Sequence, residues 1–309
     1  MKRIRRSSLH SIAYLHFEAV AQHKSIRKAA TELCVVPSAV SHQITALEEE
    51  LGLPLFQRLP RGLALTSAGE TLLHHVRRAA TEIERGRSFV QSLQGQQSGK
   101  ASLATVEGIG LGPVAGVLST LWSQWPGIRL NMHISSSVAA FDAVDRGEFD
   151  LGLAYATQES PRVKELASAD LAIGAIFRSD HPLAKRKSLR LRELADTGLP
   201  LLLPGRSIAI RAMLEHALGR DDLRLMPRLE TNSVTVISRL AREGLGVAVK
   251  TRIGVESEIS QGGLVFVPVR ELGGTVQRLV LFTRQDSLLP PASLALAGIL
   301  KTLVEGLAA

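Results

Sequence analysis

The chain has 309 residues and a single cysteine, Cys34, so no intrachain disulfide forms and a cysteine-rich zinc site is excluded. No apolar run approaches the ~20 residues that a membrane span needs. The N-terminus, MKRIRRSSLHS, is basic but is not followed by the apolar stretch of a secretory signal, so a cytoplasmic protein is expected. No G-x-S-x-G elbow, H-E-x-x-H pair or metal-ligand cluster occurs. No catalytic residue, metal or cofactor is therefore expected, and the chain does not read as an enzyme.

Hydrophobic residues make up 45% of the chain and charged residues 21%, a balance of folded domains with ample core. The net charge of +8 is unevenly spread. Residues 1–94 hold 13 Lys+Arg against 8 Asp+Glu, whereas residues 95–309 hold 24 against 21. A basic excess gathered at the N-terminal end favours a polyanion partner there. A membrane surface competes for that role, but no basic amphipathic helix with large apolar anchors supports it.

The stretch SIRKAATELCVVPSAVSHQITALEEELG, Ser25 to Gly52, reads as two short helices joined by a tight turn. A preceding helix begins near Ser8 or Ser11, with Ile12, Leu15, Ala19 and Val20 inward. Ser25 is a good N-cap, and Ala29 and Ala30 are small enough for another helix to cross closely. Pro37 starts the third helix after Val36, which has no capping oxygen, and Gly52 ends it. Val40, Ile44, Leu47 and Leu51 form its inward stripe. About 100° per residue then turns Ser38, Ser41, His42 and Thr45 outward, on a face without an acid until Glu48. Alone, this face reads equally well as solvated surface or as a face that enters a DNA groove without repulsion from phosphate. Cys34, in the turn, reads as a small core residue.

Next, LFQRLPRGLALT sets Pro60-Arg61-Gly62 between two short apolar segments. That is a hairpin with Arg58 and Arg61 near its tip, suited to phosphate or minor-groove contact or simply solvated. From Ser67 to about Leu93 no proline interrupts the chain. Leu72, Val76, Ala79, Ile83, Gly86, Val90 and Leu93 recur there at heptad spacing, which argues for a seam between two copies of the chain. His74 and His75 on this helix have no companion ligands at metal spacing.

These motifs in this order (SIRKAATEL, PSAVSHQITALEEELGLPLFQR, LTSAGE and a long helix) resemble the LysR-type family of bacterial transcriptional regulators over about residues 9–93. The resemblance implies an N-terminal all-α winged helix-turn-helix, residues 1–66, and a linker and dimerisation helix, residues 67–94. It implies that Pro37, Ser38, Ser41 and His42 face bases or phosphates of double-stranded DNA and that Arg58 and Arg61 lie on the wing. With Ser25 and Thr45 these complete the expected DNA-binding set. His42 stands where the family often has Arg, and Val36 where it usually has Ser or Thr.

GQQSGK, Gly95 to Lys100, reads as a polar linker. Strand 102–106, helix 112–124, strand 128–134, helix 137–146 and strand 149–155 then predict a parallel sheet with crossover helices. A second set follows at 171–177, 200–203, 208–218, 227–230, 234–243 and 246–250, then strands 264–268 and 277–283 and a helix at 291–306. Gly110, Gly112 and Ala115 fit a dinucleotide fingerprint, but the next strand ends in Ser135-Ser136-Ser137 rather than in an acid, which argues against a nucleotide site. Glu148 and Asp150 read as surface or loop residues. Gly108, Ser136-Ser137, Ser207 and Asn232-Ser233 all lie where a strand ends and a helix starts. Each reads singly as a cap; facing one cleft, they would bind a small molecule through hydroxyls and free backbone N–H groups.

This part resembles the effector domain of the same family through WPGIRLNMHISSS, DRGEFDLGLAYA, HPLA, ETNSVTVISRLAREGLGVAV and GGLVFVPV. The resemblance implies a C-terminal α/β periplasmic-binding-protein-like domain, 95–309, of two subdomains: 100–168 with 270–309, and 169–269. Gly108, Ser136, Ser137, Tyr155, Pro204, Arg206, Ser207 and Asn232 would line the effector cleft by matching position, with Arg206 available to a ligand carboxylate. The expectation is a dimeric or tetrameric DNA-binding regulator answering to a small effector, with RNA polymerase as a further partner and no membrane partner. An enzyme carrying a DNA-binding head, and an effector-independent protein whose C-terminal half only oligomerises, are the alternatives.

Overall fold

The structure, a computed structural model, describes residues 11–60, 62–92, 98–156, 163–195, 200–205, 208–218, 227–272 and 276–308. The chain divides into two compact units, 1–90 and 91–309.

In the first unit, helices α1 (Ile12–His23), α2 (Ile26–Leu33) and α3 (Pro37–Leu51) precede a hairpin of β1 (Phe56–Leu59) and β2 (Gly62–Leu65), and then α4 (Ser67–Ser92). Local chemistry sets the boundaries. Ser25 accepts the N–H of Lys28, Pro37 takes the first position of α3, and Gly52 closes α3 at φ +68°. Val36 supplies no cap to α3. The core joins Phe17, Val20, Ala29, Ala30, Val40, Ile44, Leu47 and Leu55, with the rings of Phe17 and Phe56 5.4 Å apart. Three residues depart from the sequence reading. Ile12 is exposed, and the α1 core face runs instead through His16, Phe17, Ala19 and Val20. Leu51, the last of the α3 stripe, is also exposed. Cys34 is exposed and left-handed at φ +56°, because it is the residue that ends α2.

Glu48 is turned away from the outer face of α3: its Oε1 accepts the N–H groups of Leu55 (2.7 Å) and Phe56 (3.2 Å) and so fixes the start of the hairpin. The other end of the hairpin rests on the left-handed Lys24, whose carbonyl accepts the N–H of Leu63 at 3.0 Å. Gly62 allows this approach, since it sits at φ +103° and a Cβ there would meet the Lys24 oxygen at 2.8 Å. On α4, Leu72 and Val76 pack into this same core, so the heptad seam read from the sequence is partly used within the unit. Farther along, Ala79 and Val90 are exposed.

The second unit has two lobes. In chain order it comprises β3 (Ser98–Thr105), α5 (Glu107–Leu111), α6 (Val114–Gln124), β4 (Gly127–Ile134), α7 (Ser137–Asp145), β5 (Leu151–Tyr155), β6 (Val163–Ala172), β7 (Gly174–Arg178), α8 (Leu191–Ala195), β8 (Leu201–Pro204), α9 (Ala209–Leu218), β9 (Pro227–Thr231), α10 (Val234–Arg242), β10 (Val247–Lys250), α11 (Glu256–Ser260), β11 (Leu264–Pro268), β12 (Val276–Arg284) and α12 (Pro291–Ala308). The sheet of lobe I has the order β4-β3-β5-β12-β6, and that of lobe II β11-β7-β10-β8-β9.

Each sheet is parallel only in part. β4-β3-β5 and β10-β8-β9 are parallel, as crossover helices require, while β12 pairs antiparallel with β5 and β6, and β7 antiparallel with β10 and β11. The strands that enter from the other lobe bring in the antiparallel pairs. The single strand expected at 171–177 is two strands in two sheets, with buried Ile173 between them, so β6 remains in lobe I as far as Ala172. The helix expected at 112–124 is α6, which starts at Val114, and a separate short helix not read from the sequence, α5, precedes it across Gly112-Pro113. Of the expected linker, Ser98–Lys100 belong to β3, and 95–97 lie outside the described residues. Asp150 is buried: its Oδ2 accepts the hydroxyls of Ser102 and Ser293, both at 2.8 Å, and so ties the β5 start to β3 and α12.

Side chains cross between the lobes near the cleft. Glu107, on α5 of lobe I, accepts three donors from the start of α10 in lobe II: the Ser233 hydroxyl (2.8 Å), the Val234 N–H (2.8 Å) and the Thr235 hydroxyl (2.6 Å). Tyr155 and Thr251 share a hydroxyl contact of 3.1 Å. Gly254, at φ +82°, allows the lobe II backbone to reach α5; a Cβ there would meet the Gly108 carbonyl at 2.8 Å.

Two substitutions test these ties. Glu48→Ala removes the acceptor for two backbone N–H groups and should destabilise the N-terminal unit by about 1–3 kcal/mol, whereas exposed Glu49→Ala should change stability by about 0.5 kcal/mol or less. Glu107→Ala should destabilise the C-terminal unit by about 2 kcal/mol, since bonds to a charged acceptor contribute most but this one is partly solvated. Urea unfolding midpoints of the full-length variants check both.

Candidate functional site: a nucleic-acid face and a cleft between two lobes

The outer face of α3 presents Ser38, Ser41, His42 and Thr45, all exposed, with Pro37 exposed at its start. Three hydroxyls and an imidazole can each donate and accept hydrogen bonds, which suits base edges as well as phosphates. With Glu48 drawn into the hairpin, this face carries no carboxylate along its first three turns. Pro37 has no N–H and Val36 offers no side-chain oxygen, so the α3 start is an uncapped positive dipole end. Arg58 is exposed on β1, and Arg61, expected beside it, lies outside the described residues. Ser25 is half-buried and occupied as a cap.

The second site is a cavity of about 680 Å³ between the lobes. Of the residues expected there, Gly108, Ser136, Ser137, Tyr155 and Asn232 line it. Pro204 is buried at the end of β8 and is not on its wall, and Arg206 and Ser207 lie outside the described residues. The Ser136 hydroxyl caps α7 by accepting the Ala139 N–H at 3.2 Å, and Ser233 caps α10 by accepting the Val236 N–H at 3.2 Å. Capping and cavity lining thus coincide at both helix starts.

Sequence reading missed Glu107, Lys250, Thr251, Ile253 and Gln277 on the same wall. Two left a trace. Glu107 directly follows a strand, and Gln277 falls in alternation with Leu279 and Leu281, a polar residue on the buried face of β12. Gln277 is only 1% exposed, yet its Oε1 has no hydrogen-bond partner among the described residues. Lys250 is also buried; its ammonium donates to the Ile253 carbonyl at 2.7 Å and to the Ser238 hydroxyl at 3.3 Å. Burial pushes its pKa down to about 8 against the opposing pull of Glu256, Glu258 and Glu107. Desolvation of the Tyr155 hydroxyl pushes it up to about 12, partly offset by its bond to Thr251 and reinforced by Glu256. At neutral pH the tyrosine stays a neutral donor. The remaining wall is largely aliphatic, including Val106, Leu111, Ile134, Val138, Ile208 and Ile210. A cleft lined by aliphatic side chains on which polar groups from both lobes converge is the form of a small-molecule site.

Comparison with known proteins matches both units. Residues 13–70 match the bacterial regulatory helix-turn-helix protein of the lysR family, and residues 94–305 the LysR substrate binding domain. The RuBisCO operon transcriptional regulator of Acidithiobacillus ferrooxidans is 28% identical over 267 residues, covering 86% of this chain and 85% of that protein. Full-length OxyR from Pseudomonas aeruginosa has a similar fold, with a TM-score of 0.71 at 21% identity over 94% of this chain and 95% of that one. Full-length CbnR complexed with its target DNA does too, with a TM-score of 0.64 at 17% identity over 94% and 98%. The chain therefore belongs to the LysR family, as a DNA-binding transcriptional regulator with an effector-binding domain and not an enzyme.

Proposed function

We propose that α3 reads operator DNA through Ser38, Ser41, His42 and Thr45, that Arg58 and Arg61 hold the flanking backbone, and that the cleft between the two C-terminal lobes takes the effector. The observation that carries the first part is the outer face of α3: four exposed hydrogen-bonding side chains, with Glu48 turned inward. The free N–H of Ser38 at the uncapped helix start suits a phosphate oxygen, with Pro37 setting the chain direction there. Ser25, occupied as a cap, positions α2 behind this face. His42 supplies one hydrogen bond where a guanidinium would supply two, so discrimination rests on the hydroxyls around it. CbnR, of similar fold, is seen bound to its target DNA, which supports the reading.

The effector arm rests on the cavity wall, where Gly108, Ser136, Ser137, Tyr155 and Asn232 meet Glu107 and Gln277. Arg206 and Ser207 follow Pro204 at the end of β8 and enter this proposal from sequence alone. An effector that binds one arrangement of the lobes better than another shifts their equilibrium by that difference in affinity. The exposed end of α4, with Ala79 and Val90, supplies a seam for a second copy, and two copies read a dyad-related site. No helix among the described residues is long and apolar enough to cross a membrane. The reading places the protein in the cytoplasm, with RNA polymerase as its further partner at promoters.

Footprinting the full chain on the DNA upstream of its own gene tests the face. Ser41→Ala with His42→Ala should cost about 1–3 kcal/mol of discrimination per lost base contact and erase the footprint, while the oligomeric state is unchanged. A footprint retained at wild-type concentration would remove α3 from base reading. Arg58→Ala should lower the slope of log affinity against log salt by about one and leave sequence preference intact. An unchanged slope would take Arg58 off the phosphates.

A further inference from the structure

The cavity wall carries a charge arrangement that bears on what the cleft accepts. The start of α10 is a natural anion site, with an open N–H, two hydroxyls and the positive end of a nine-residue helix. In this chain Glu107 already occupies it, accepting from Ser233, Val234 and Thr235. A ligand carboxylate brought to the same place meets a carboxylate. Lys250 does not compensate: its ammonium is committed to the Ile253 carbonyl and the Ser238 hydroxyl, and Glu107, Glu256 and Glu258 already act on it.

Gln277 makes the opposite demand. Its Oε1 is buried on the wall without a partner among the described residues, and such an acceptor costs about 1–3 kcal/mol unless a donor meets it. A carboxylate has no proton to give at neutral pH. A hydroxyl or primary amide has one, and because each also accepts, it matches the Gln277 amide in either of its orientations. Ser135, Ser136, Ser137, Asn232 and Thr251 add uncharged polar groups to the wall, and aliphatic side chains such as Ile134, Val138 and Ile208 supply the apolar part.

We propose that the cleft selects an effector with an uncharged, hydrogen-donating head group on an apolar body, received by Gln277, and that Glu107 bars a carboxylate from the α10 anion site by filling that site itself. This rests on the reading of the cleft as the effector site.

The test uses three probes with one body, 3-phenylpropanamide, 3-phenylpropan-1-ol and 3-phenylpropanoate, titrated calorimetrically into the full chain at neutral pH and fixed salt. The amide and the alcohol should bind, and the carboxylate about tenfold or more weaker. Gln277→Leu, close in volume and without the orphaned oxygen, should weaken the amide about tenfold while the free protein melts no lower. Glu107→Gln keeps an acceptor at α10 and should strengthen the carboxylate about tenfold with the amide unchanged. Should that variant unfold, the wild-type ranking and Gln277→Leu still decide. Carboxylate binding to the wild type as tight as the amide overturns the proposal and leaves ligand binding by the cleft intact. An amide indifferent to Gln277→Leu, or a carboxylate indifferent to Glu107→Gln in a folded variant, also overturns it. Binding of none of the three, to wild type or variants, at their solubility limits removes the ligand-binding reading together with the proposal.

Discussion

Glu107 holds the start of α10 across the line that divides the two C-terminal lobes. A partly buried carboxylate is stable only if its oxygens are met, and here one N–H, two hydroxyls and a helix dipole meet them. Because the donors belong to the other lobe, the carboxylate also sets the spacing between the lobes. Gly254 permits the accompanying backbone approach to Gly108, and the Tyr155–Thr251 contact ties the lobes elsewhere on the wall. The cleft takes its width and its charge from these contacts. Its wall combines aliphatic side chains with uncharged polar groups, its described cation is internally bound, and the anion site at the start of α10 is filled from within.

The N-terminal unit handles charge in a similar way. Glu48 is drawn into the hairpin by the Leu55 and Phe56 N–H groups, which stabilises the wing and clears the outer face of α3. One contact thus serves stability and recognition. The unsatisfied start of α3 is costly in an isolated helix and useful beside phosphate. Stability comes instead from the Phe17-centred apolar core, so the exposed face is left to hydroxyls and His42. The long helix α4 is divided likewise: Leu72 and Val76 belong to the core of their own unit, and only its later positions are open to a partner.

Much of the fold was legible because its signals are local. Pro37 and Gly52 bound α3, Ser25 caps α2, and Pro291 opens α12, each through backbone chemistry within a residue or two. Periodicity located most strands and helices within a few residues. It misled where packing ends before the pattern does: Ile12 and Leu51 continue apolar stripes past the edge of the core and are exposed. It misled again at 171–177, where one apolar run is shared between two sheets, and at Asp150, whose burial depends on hydroxyls 48 and 143 residues away in sequence.

By itself, then, the sequence determined most of the element order, the helix-turn-helix with its polar face, the two-lobed α/β domain and the family, because caps, periods and motifs are encoded in neighbouring residues. Only the tertiary structure decided which groups share the cleft. Glu107 and Thr235 lie 128 residues apart and meet only when the lobes close together, and Lys250 and Gln277 reach the same wall from different sheets. Long-range pairing of this kind has no period and no spacing rule. It follows from where the crossing strands place each residue.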